Sequence, residues 1–383
     1  MANEAAGSAV VLIGGKRYER FSSLTLKRSI EEGTCSGSIV LSWPGADQFN
    51  AAGLVMSDFV DGASCQIVLD GQLAATATLD TRTSKGSPKS YELTLQFRGQ
   101  MSHHVDSSPN HETGQENKKT PAQIMRKLME GGPGQLIDKS NFSQVTERFI
   151  VAEGETIERA CRRCAREFGL TFWENPEGNW VLQGQNDASS GVQGELRLGK
   201  NFTNWSTKRD IGPRFGTCAV SGSGIPTDEK YGKVNECLFN ESFRNITSMK
   251  QLRALIDGDQ TNKSLGIRGT YEGSRRAAQG LNVTLRLSTW SDNGGNLWGV
   301  SEKYHVVIPV DDIDDDLLVS EVEFELTADS RTATLIMVSN NIFGGAGAEG
   351  VLADKETEAP IVPKVTPYTP PTPPETPTPA PGG

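Results

Sequence analysis

Apolar and polar residues alternate in many short runs along this chain of 383 residues. The run LNVTLRLS at 281–288 has leucine or valine at every second position, and the runs at 39–43 and 91–97 continue the pattern. A period of two is that of a strand with one buried face. Two further runs flank Asp70-Gly71, a dipeptide typical of tight hairpin turns. Short strands with such turns predict a β-barrel or a β-sandwich.

Helical patterns fill the stretch from about 118 to 185. The sequence TPAQ at 120–123 has the residues of a capping box, with proline at the first helical position. A second helix carries one apolar stripe over 157–168, and a hairpin is predicted at 170–183. This stretch therefore predicts a small α/β domain inserted after an all-β one.

The remaining segments are polar, helical or strand-like. We predict a polar linker at 107–119, a helical stretch at 249–256, and strands at 304–310, 317–326 and 332–338. The segment from about 359 onward holds ten of the nineteen prolines, which predicts an extended or disordered tail. Together the patterns predict an α+β fold that is mainly β.

The composition is acidic. Lys and Arg number 38 against 48 Asp and Glu, a net charge of −10. A protein that grips nucleic acid normally shows a basic surface, so we expect no tight hold on phosphate. No stretch approaches the roughly 20 apolar residues of a membrane span, and the first ten residues lack a signal-peptide core. We therefore expect a protein of the cytoplasm with no membrane partner.

Two motifs suggest chemistry but favour a structural interpretation. Cys161 and Cys164 form a CxxC, yet both lie on the apolar helix stripe and no second pair completes a zinc site. We predict that they pack in a core. Residues 194–200 match a phosphate-binding loop, but Asn201 stands where Ser or Thr binds magnesium, and the middle of the motif alternates like a strand.

Two metal motifs are equally incomplete. Four acids occupy positions 1, 3, 5 and 12 of a calcium loop, but Leu317 stands where that loop needs glycine, so a solvated acidic turn is predicted; the acids are Asp312, Asp314, Asp316 and Glu323. Three histidines near Asp106 are predicted to be surface residues rather than ligands, namely His103, His104 and His111. No nucleophile motif is present, although separated acid pairs of the glycosidase type stay open. We predict no catalytic residue, metal or cofactor.

Several ordered motifs resemble one known family, the Mu-type baseplate hub proteins of contractile-tailed phages (the Mu-like tail protein P family). The resemblance covers roughly residues 20–345 in the same order. It includes strand–turn–strand 21–45 with Arg28 and Ser29, then 93–108 with Arg98 and Gly99, then 118–128, 154–183, 196–204 and 218–224, and last the helix, strand and turn of 275–298 with Trp290, Gly295, Leu297 and Trp298. The acidic run 311–316 departs from the family pattern, and the proline-rich tail lies outside it.

The resemblance implies two β-barrel domains similar to the tail-tube fold, with the small α/β domain inserted. The implied domains are a first barrel at 1–110, the insert at 111–195, a second barrel with a helical insert at 196–345, whose first strands complete the first barrel, and a flexible Gly/Pro-rich tail at 346–383. In this arrangement the alternating strand 281–288 lies in a barrel wall. The two tryptophans of the turn, Trp290 and Trp298, would anchor its packing.

The function implied by the resemblance is mechanical. Such hubs are homotrimers that join the sixfold tail tube to a trimeric central spike, contact other baseplate proteins and form part of the channel through which DNA passes without specific binding. They are virion proteins, assembled in the host cytoplasm. An acidic channel wall would favour passage of DNA, although acidity also serves solubility. Pro370, Pro371, Pro373 and Pro374 are a candidate strap for a partner.

Two alternatives stay open. The first is the hub of a related injection machine, a tailocin or a secretion spike. The second comes from another class, a tail-associated cell-wall hydrolase or binding module.

Overall fold

The computed structural model describes residues 9–45, 56–111, 113–140, 142–184, 191–210, 212, 217–223, 233–239, 251–259 and 262–340. All of them fall within one compact unit. The proline-rich tail, with Pro370, Pro371, Pro373 and Pro374, lies outside the described residues.

The described residues of the N-terminal part form seven strands, each paired antiparallel with its neighbours. They are β1 (Ala9–Ile13), β2 (Lys16–Tyr18), β3 (Ser23–Ser29), β4 (Ser36–Trp43), β5 (Ser64–Leu69), β6 (Gln72–Ser87) and β7 (Ser90–Gly99). The predicted hairpin at Asp70-Gly71 is confirmed, since it joins β5 to β6. Both turn residues have positive φ, 49° and 77°, which is the backbone of a type I′ turn.

Helices and short strands follow in the middle of the chain. They are α1 (Ser102–Asp106), β8 (Gln115–Lys119), α2 (Pro121–Leu128), β9 (Leu136–Asp138), β10 (Thr146–Ile150), α3 (Ile157–Glu167), β11 (Thr171–Glu174) and β12 (Trp180–Gln183). The predicted capping box of α2 is confirmed: Gln123 N donates to Thr120 Oγ1 at 3.3 Å, and Thr120 N donates to Gln123 Oε1 at 3.0 Å. Helices α2 and α3 pack over the small sheet β11-β12-β9 around one apolar cluster.

The described residues of the C-terminal part form nine strands and one long helix. They are β13 (Glu195–Arg197), β14 (Asn204–Arg209), β15 (Thr217–Ser223), β16 (Lys233–Phe239), β17 (Gln251–Asp259), α4 (Asn262–Ala278), β18 (Leu281–Leu287), β19 (Lys303–Ile308), β20 (Ile313–Thr327) and β21 (Arg331–Ser339). Strand β18 contains all but the last residue of the alternating run 281–288, and its buried positions are Val283, Leu285 and Leu287.

Strands from both ends of the chain share one 13-stranded sheet. Its main path is β14-β18-β21-β20-β3-β4-β7-β6-β5-β1-β2, with β19 also on β20 and β13 on β19. The two parts meet where β20 pairs with β3, for example Phe324 opposite Leu26. A second sheet has the order β16-β15-β17-β10-β8. The fold is therefore mainly β with segregated helices, as the sequence predicts. Closure into two barrels and the division into four domains stay predictions.

The structure corrects three local expectations. The helix predicted at 249–256 is wrong: 251–259 is strand β17, because parallel pairing with β15 overrides local helical spacing, while Met249 lies outside the described residues. The linker 107–119 contains strand β8, whose polar sequence carries no apolar alternation. The acidic run 311–316 is only partly a turn, since β20 already begins at Ile313.

No helix within the described part of the chain is long and apolar enough to cross a membrane.

Candidate functional site

Strand β11 ends in a buried acid, Glu174, with only 4% of its surface exposed. Its carboxylate accepts three hydrogen bonds from the N-terminal part. Cys35 N and Thr34 Oγ1 donate to Oε2 at 2.8 and 3.0 Å, and Met101 N donates to Oε1 at 2.9 Å. Burial raises the pKa of Glu174, because desolvation outweighs the opposing effect of these donors. One carboxylate thus links the inserted hairpin to the starts of β4 and α1.

Gly99 makes room for this carboxylate. A Cβ atom at Gly99 would lie 1.8 Å from Glu174 Oε2 and 2.6 Å from Thr34 Oγ1, so no other residue fits without movement. Beside it, Trp180 Nε1 donates to the carbonyl of Gly33 at 2.6 Å. We call Arg28, Thr34, Gly99, Glu174 and Trp180 the buried junction.

Arg28 adds a buried cation to the buried junction. It lies near the end of β3 and is 7% exposed. Burial lowers the pKa of Arg28, while the carboxylates of Glu174 and Glu302 act in the opposite direction and favour its charged form. Glu302 itself accepts hydrogen bonds from Gly299 N at 3.1 Å and from the Tyr304 hydroxyl at 2.9 Å. Arg28 therefore lies in the field of carboxylates from both the insert and the C-terminal part.

Ser29 and Arg98 make local contacts instead. Ser29 Oγ accepts a hydrogen bond from Glu31 N at 3.1 Å and closes the turn after β3. The Arg98 guanidinium binds both oxygens of Asp106, at 3.1 and 2.6 Å, and Asp80 at 3.0 Å. These bonds, the one with Asp106 first, raise the pKa of Arg98. The pair fixes helix α1 to the end of strand β7.

The segment from Trp290 to Trp298, which we call the Trp turn, closes on itself. Both indoles are buried, and each donates to a backbone carbonyl: Trp290 Nε1 to Thr332 at 3.1 Å and Trp298 Nε1 to Thr289 at 2.9 Å. Gly295 has a φ of +82°, a conformation that favours glycine. Leu297 bridges back to Ser291 in an antiparallel pair, and Trp298 packs edge-on against Tyr304.

The Trp turn contacts the tip of the β5–β6 hairpin. Gln72 Nε2 donates to the carbonyl of Gly295 at 2.7 Å. Arg331 stacks over the Trp290 ring at 4.3 Å and forms an ion pair with Asp70. The N-terminal and C-terminal strands are therefore joined here as well as at the β20–β3 pair.

Sequence reasoning located part of this arrangement. Of its site residues, the structure gathers Trp290, Gly295, Leu297 and Trp298 in one turn, and it places Arg28 and Gly99 in the buried junction. Arg98 and Ser29 have separate local contacts. Glu174 was missed, and its signal was an acid that ends the apolar strand TFWE. The functional roles of these residues stay predictions.

Two of the histidines correct an expectation. His104 is fully buried, against the predicted surface position: its Nε2 bonds the Pro133 carbonyl at 2.8 Å and its ring packs against Trp180. His111 is nearly buried beside Glu116, 3.0 Å away. Their polar surroundings in the sequence conceal this, because His104 packs from helix α1 onto the insert and His111 pairs with Glu116 of strand β8. Among the described residues, no three His, Cys, Asp or Glu side chains are grouped as metal ligands.

Cys161 and Cys164 are fully buried in the core of the insert, as predicted. Burial raises the pKa of both thiols well above the ordinary value, so neither is a reactive thiolate. The false phosphate loop is also explained, since its middle residues form strand β13.

The acidic run 311–316 makes contacts within the protein. Asp311 accepts hydrogen bonds from Trp205 Nε1 at 2.8 Å and Thr207 Oγ1 at 2.7 Å. His305 lies between two acids of β20, with Nδ1 2.9 Å from Asp316 and Nε2 2.9 Å from Asp314. These carboxylates therefore bond side chains of strands β14 and β19.

We expect the pKa of His305 to exceed its ordinary value of 6.5, because Asp316 first and Asp314 second favour the imidazolium. Its contribution to stability is then complete below pH 6.5 and is lost as the pH rises through the higher folded pKa. NMR titration of the imidazole measures this. Asp316→Asn should lower the His305 pKa, whereas the exposed control Asp329→Asn should not; equal values in both variants would contradict the assignment.

No protein-family model matches the sequence, and no curated protein matches it significantly. Solved structures do share its fold. The 43 kDa tail protein of prophage MuSo2 from Shewanella oneidensis is 20% identical, with a TM-score of 0.74 over 88% of this chain and 99% of that one. The tail protein from Neisseria meningitidis MC58 is 19% identical, with a TM-score of 0.75 over 88% and 98%.

A more distant likeness extends to a secretion component. The E. coli c3393 protein is described as a component of the type VI secretion system with structural similarity to the T4 tail proteins gp27 and gp5. It is 11% identical to this chain, with a TM-score of 0.53 over 86% of this chain and 76% of that one. The fold described above is thus that of prophage tail proteins, which agrees with the resemblance found in the sequence.

Proposed function

We propose that this protein is the structural hub of a contractile-tail baseplate, a trimeric adaptor between a sixfold tail tube and a trimeric central spike. The observation that carries the proposal is the fold. It matches 88% of this chain to 99% of the tail protein of prophage MuSo2. Partners of the hub are the tail tube protein, the spike and other baseplate proteins. Its place is the virion tail, after assembly in the host cytoplasm.

The internal contacts suit a part that transmits force. The buried junction ties the insert to the N-terminal strands through hydrogen bonds of 2.8 to 3.0 Å to the Glu174 carboxyl group. The Trp turn ties the C-terminal strands to the β5–β6 hairpin through the Gln72 bond and the Arg331–Asp70 pair. These two polar links oppose sliding of the N-terminal strands, the insert and the C-terminal strands against one another under load.

The charge balance suits a channel that releases DNA. A net charge of −10 repels phosphate, so DNA would pass without specific binding.

We also propose that the hub has no enzymatic activity. The cell-wall hydrolase alternative is tested with the purified chain on peptidoglycan, where no clearing is expected and clearing at low enzyme concentration would favour the alternative.

Deletion of the coding sequence tests the function itself. In electron micrographs of the induced lysate, we expect an absence of tails with complete baseplates, restored by the wild-type chain in trans. A deletion strain that forms normal contractile tails would refute the hub role. Particles with DNA in a head would identify a phage, and headless particles a tailocin.

A further inference from the structure

A small cleft lies between helices α3 and α4, and three arginine side chains line it. Arg162 and Arg166 come from α3, and Arg275 comes from α4. Among the described residues that line the cleft, Glu31 is the one acid, and it is already ion-paired with Arg275. The cleft thus collects positive charge in a chain whose net charge is −10.

Arg162 has a buried donor with no acceptor. Its Nε pairs with Glu158, and its guanidinium stacks on the Phe172 ring at 4.8 Å. Its Nη2 is buried and has no hydrogen-bond partner among the described residues. A buried N–H of a charged group without an acceptor is rare in folded proteins and costs stability.

Arg166 lacks a counter-ion. It forms no ion pair with any described residue, although it lines the cleft in the last turn of α3. Burial lowers the pKa of Arg166, and the like charges of Arg275, Arg162 and Arg268 lower it further. The negative end of a helix favours one cation there, but it does not account for several arginines together.

We propose that this cleft binds a small oxyanion, which the guanidinium groups of Arg162 and Arg166 hold between helices α3 and α4. Guanidinium groups bind phosphate and carboxylate oxygens in forked geometry, so a bound oxyanion would satisfy the free donor and relieve the repulsion. It would also tie the insert to the helix that precedes strand β18. Free phosphate and an acidic side chain of another chain share this chemistry.

The test compares melting temperatures of the full chain in sodium phosphate and in sodium chloride at equal ionic strength. Phosphate should raise the wild-type melting temperature on the order of 2–4 °C beyond chloride. Arg166→Gln should lose most of this rise, and Arg166→Lys, which keeps the charge but not the fork, should retain part of it. Arg126→Gln is the matched control, since it removes an exposed arginine from α2, and it should keep the full rise.

The melting temperature of Arg166→Gln in chloride is a second readout, and there the substitution should not lower stability. In chloride, Arg166→Gln should melt at or above the wild-type temperature, because one of the repelling charges is gone.

Sodium acetate distinguishes free phosphate from an acidic side chain as the bound oxyanion. A rise in melting temperature equal to that in phosphate assigns the cleft to carboxylates, and a smaller rise assigns it to free phosphate. Equal melting of the wild type in phosphate and chloride, or an undiminished rise in Arg166→Gln, would overturn the proposal.

Discussion

Glu174→Ala is expected to lower the free energy of unfolding by about 3–4 kcal/mol, because it leaves buried donors of the buried junction without an acceptor. In the wild-type protein, the two backbone donors Cys35 N and Met101 N donate to this carboxylate at 2.8 and 2.9 Å. Chemical denaturation measures the loss. The matched control is Glu177→Ala, an exposed acid in the same hairpin, which should change the free energy by less than about 0.5 kcal/mol.

The pH dependence of this loss has a definite sign. The folded pKa of Glu174 lies above its ordinary value of 4.5, so the folded state binds the proton more tightly than the unfolded chain does. The contribution of Glu174 to stability therefore decreases as the pH rises from 4.5 through the folded pKa. We expect Glu174→Ala to cost more stability near pH 4.5 than at pH 7. An equal loss for Glu174→Ala and the control would contradict the structural role.

Trp298→Ala is expected to cost about 3–5 kcal/mol, the usual range for loss of a buried tryptophan. The substitution removes the edge-on packing with Tyr304 and the bond from Trp298 Nε1 to the Thr289 carbonyl. Thermal unfolding measures the loss, and the native mass shows whether assembly survives. Trp298→Phe keeps an aromatic ring without the donor and should lie between the wild type and Trp298→Ala.

Trp43→Ala is the control for the Trp turn, because Trp43 is only partly buried. Its loss should be clearly smaller than that of Trp298→Ala. If Trp298→Ala left thermal stability and assembly unchanged, the anchoring role of the tryptophans would be wrong.

Sequence patterns predict the local parts of this fold well. The hairpin at Asp70-Gly71, the capping box at Thr120 and the alternating strand 281–288 each depend on short-range rules, and the structure contains all three. The buried pair Cys161 and Cys164 follows from helical periodicity in the same way. The sequence predicts these features because a turn, a helix cap or an apolar helix stripe depends only on residues that are close together in the chain.

Long-range contacts are what the sequence conceals. Strand β17 has the apolar spacing of a helix, and its pairing with β15 and β10 makes it a strand. His104 stands in a polar sequence, yet the insert covers it. Glu174 meets Thr34 and Cys35 from 140 and 139 positions away, so no local rule can indicate the buried junction. The Trp turn was found through resemblance to a family.

The native mass of the purified chain tests the hub proposal most directly. Light scattering or mass photometry should give three times the chain mass of 41.3 kDa, with the trimer stable on dilution. A threefold ring would then present six tube-like domains to the tail tube. The mass of a single chain at every concentration, both alone and mixed with tail tube and spike proteins from the same source, would contradict the trimeric adaptor.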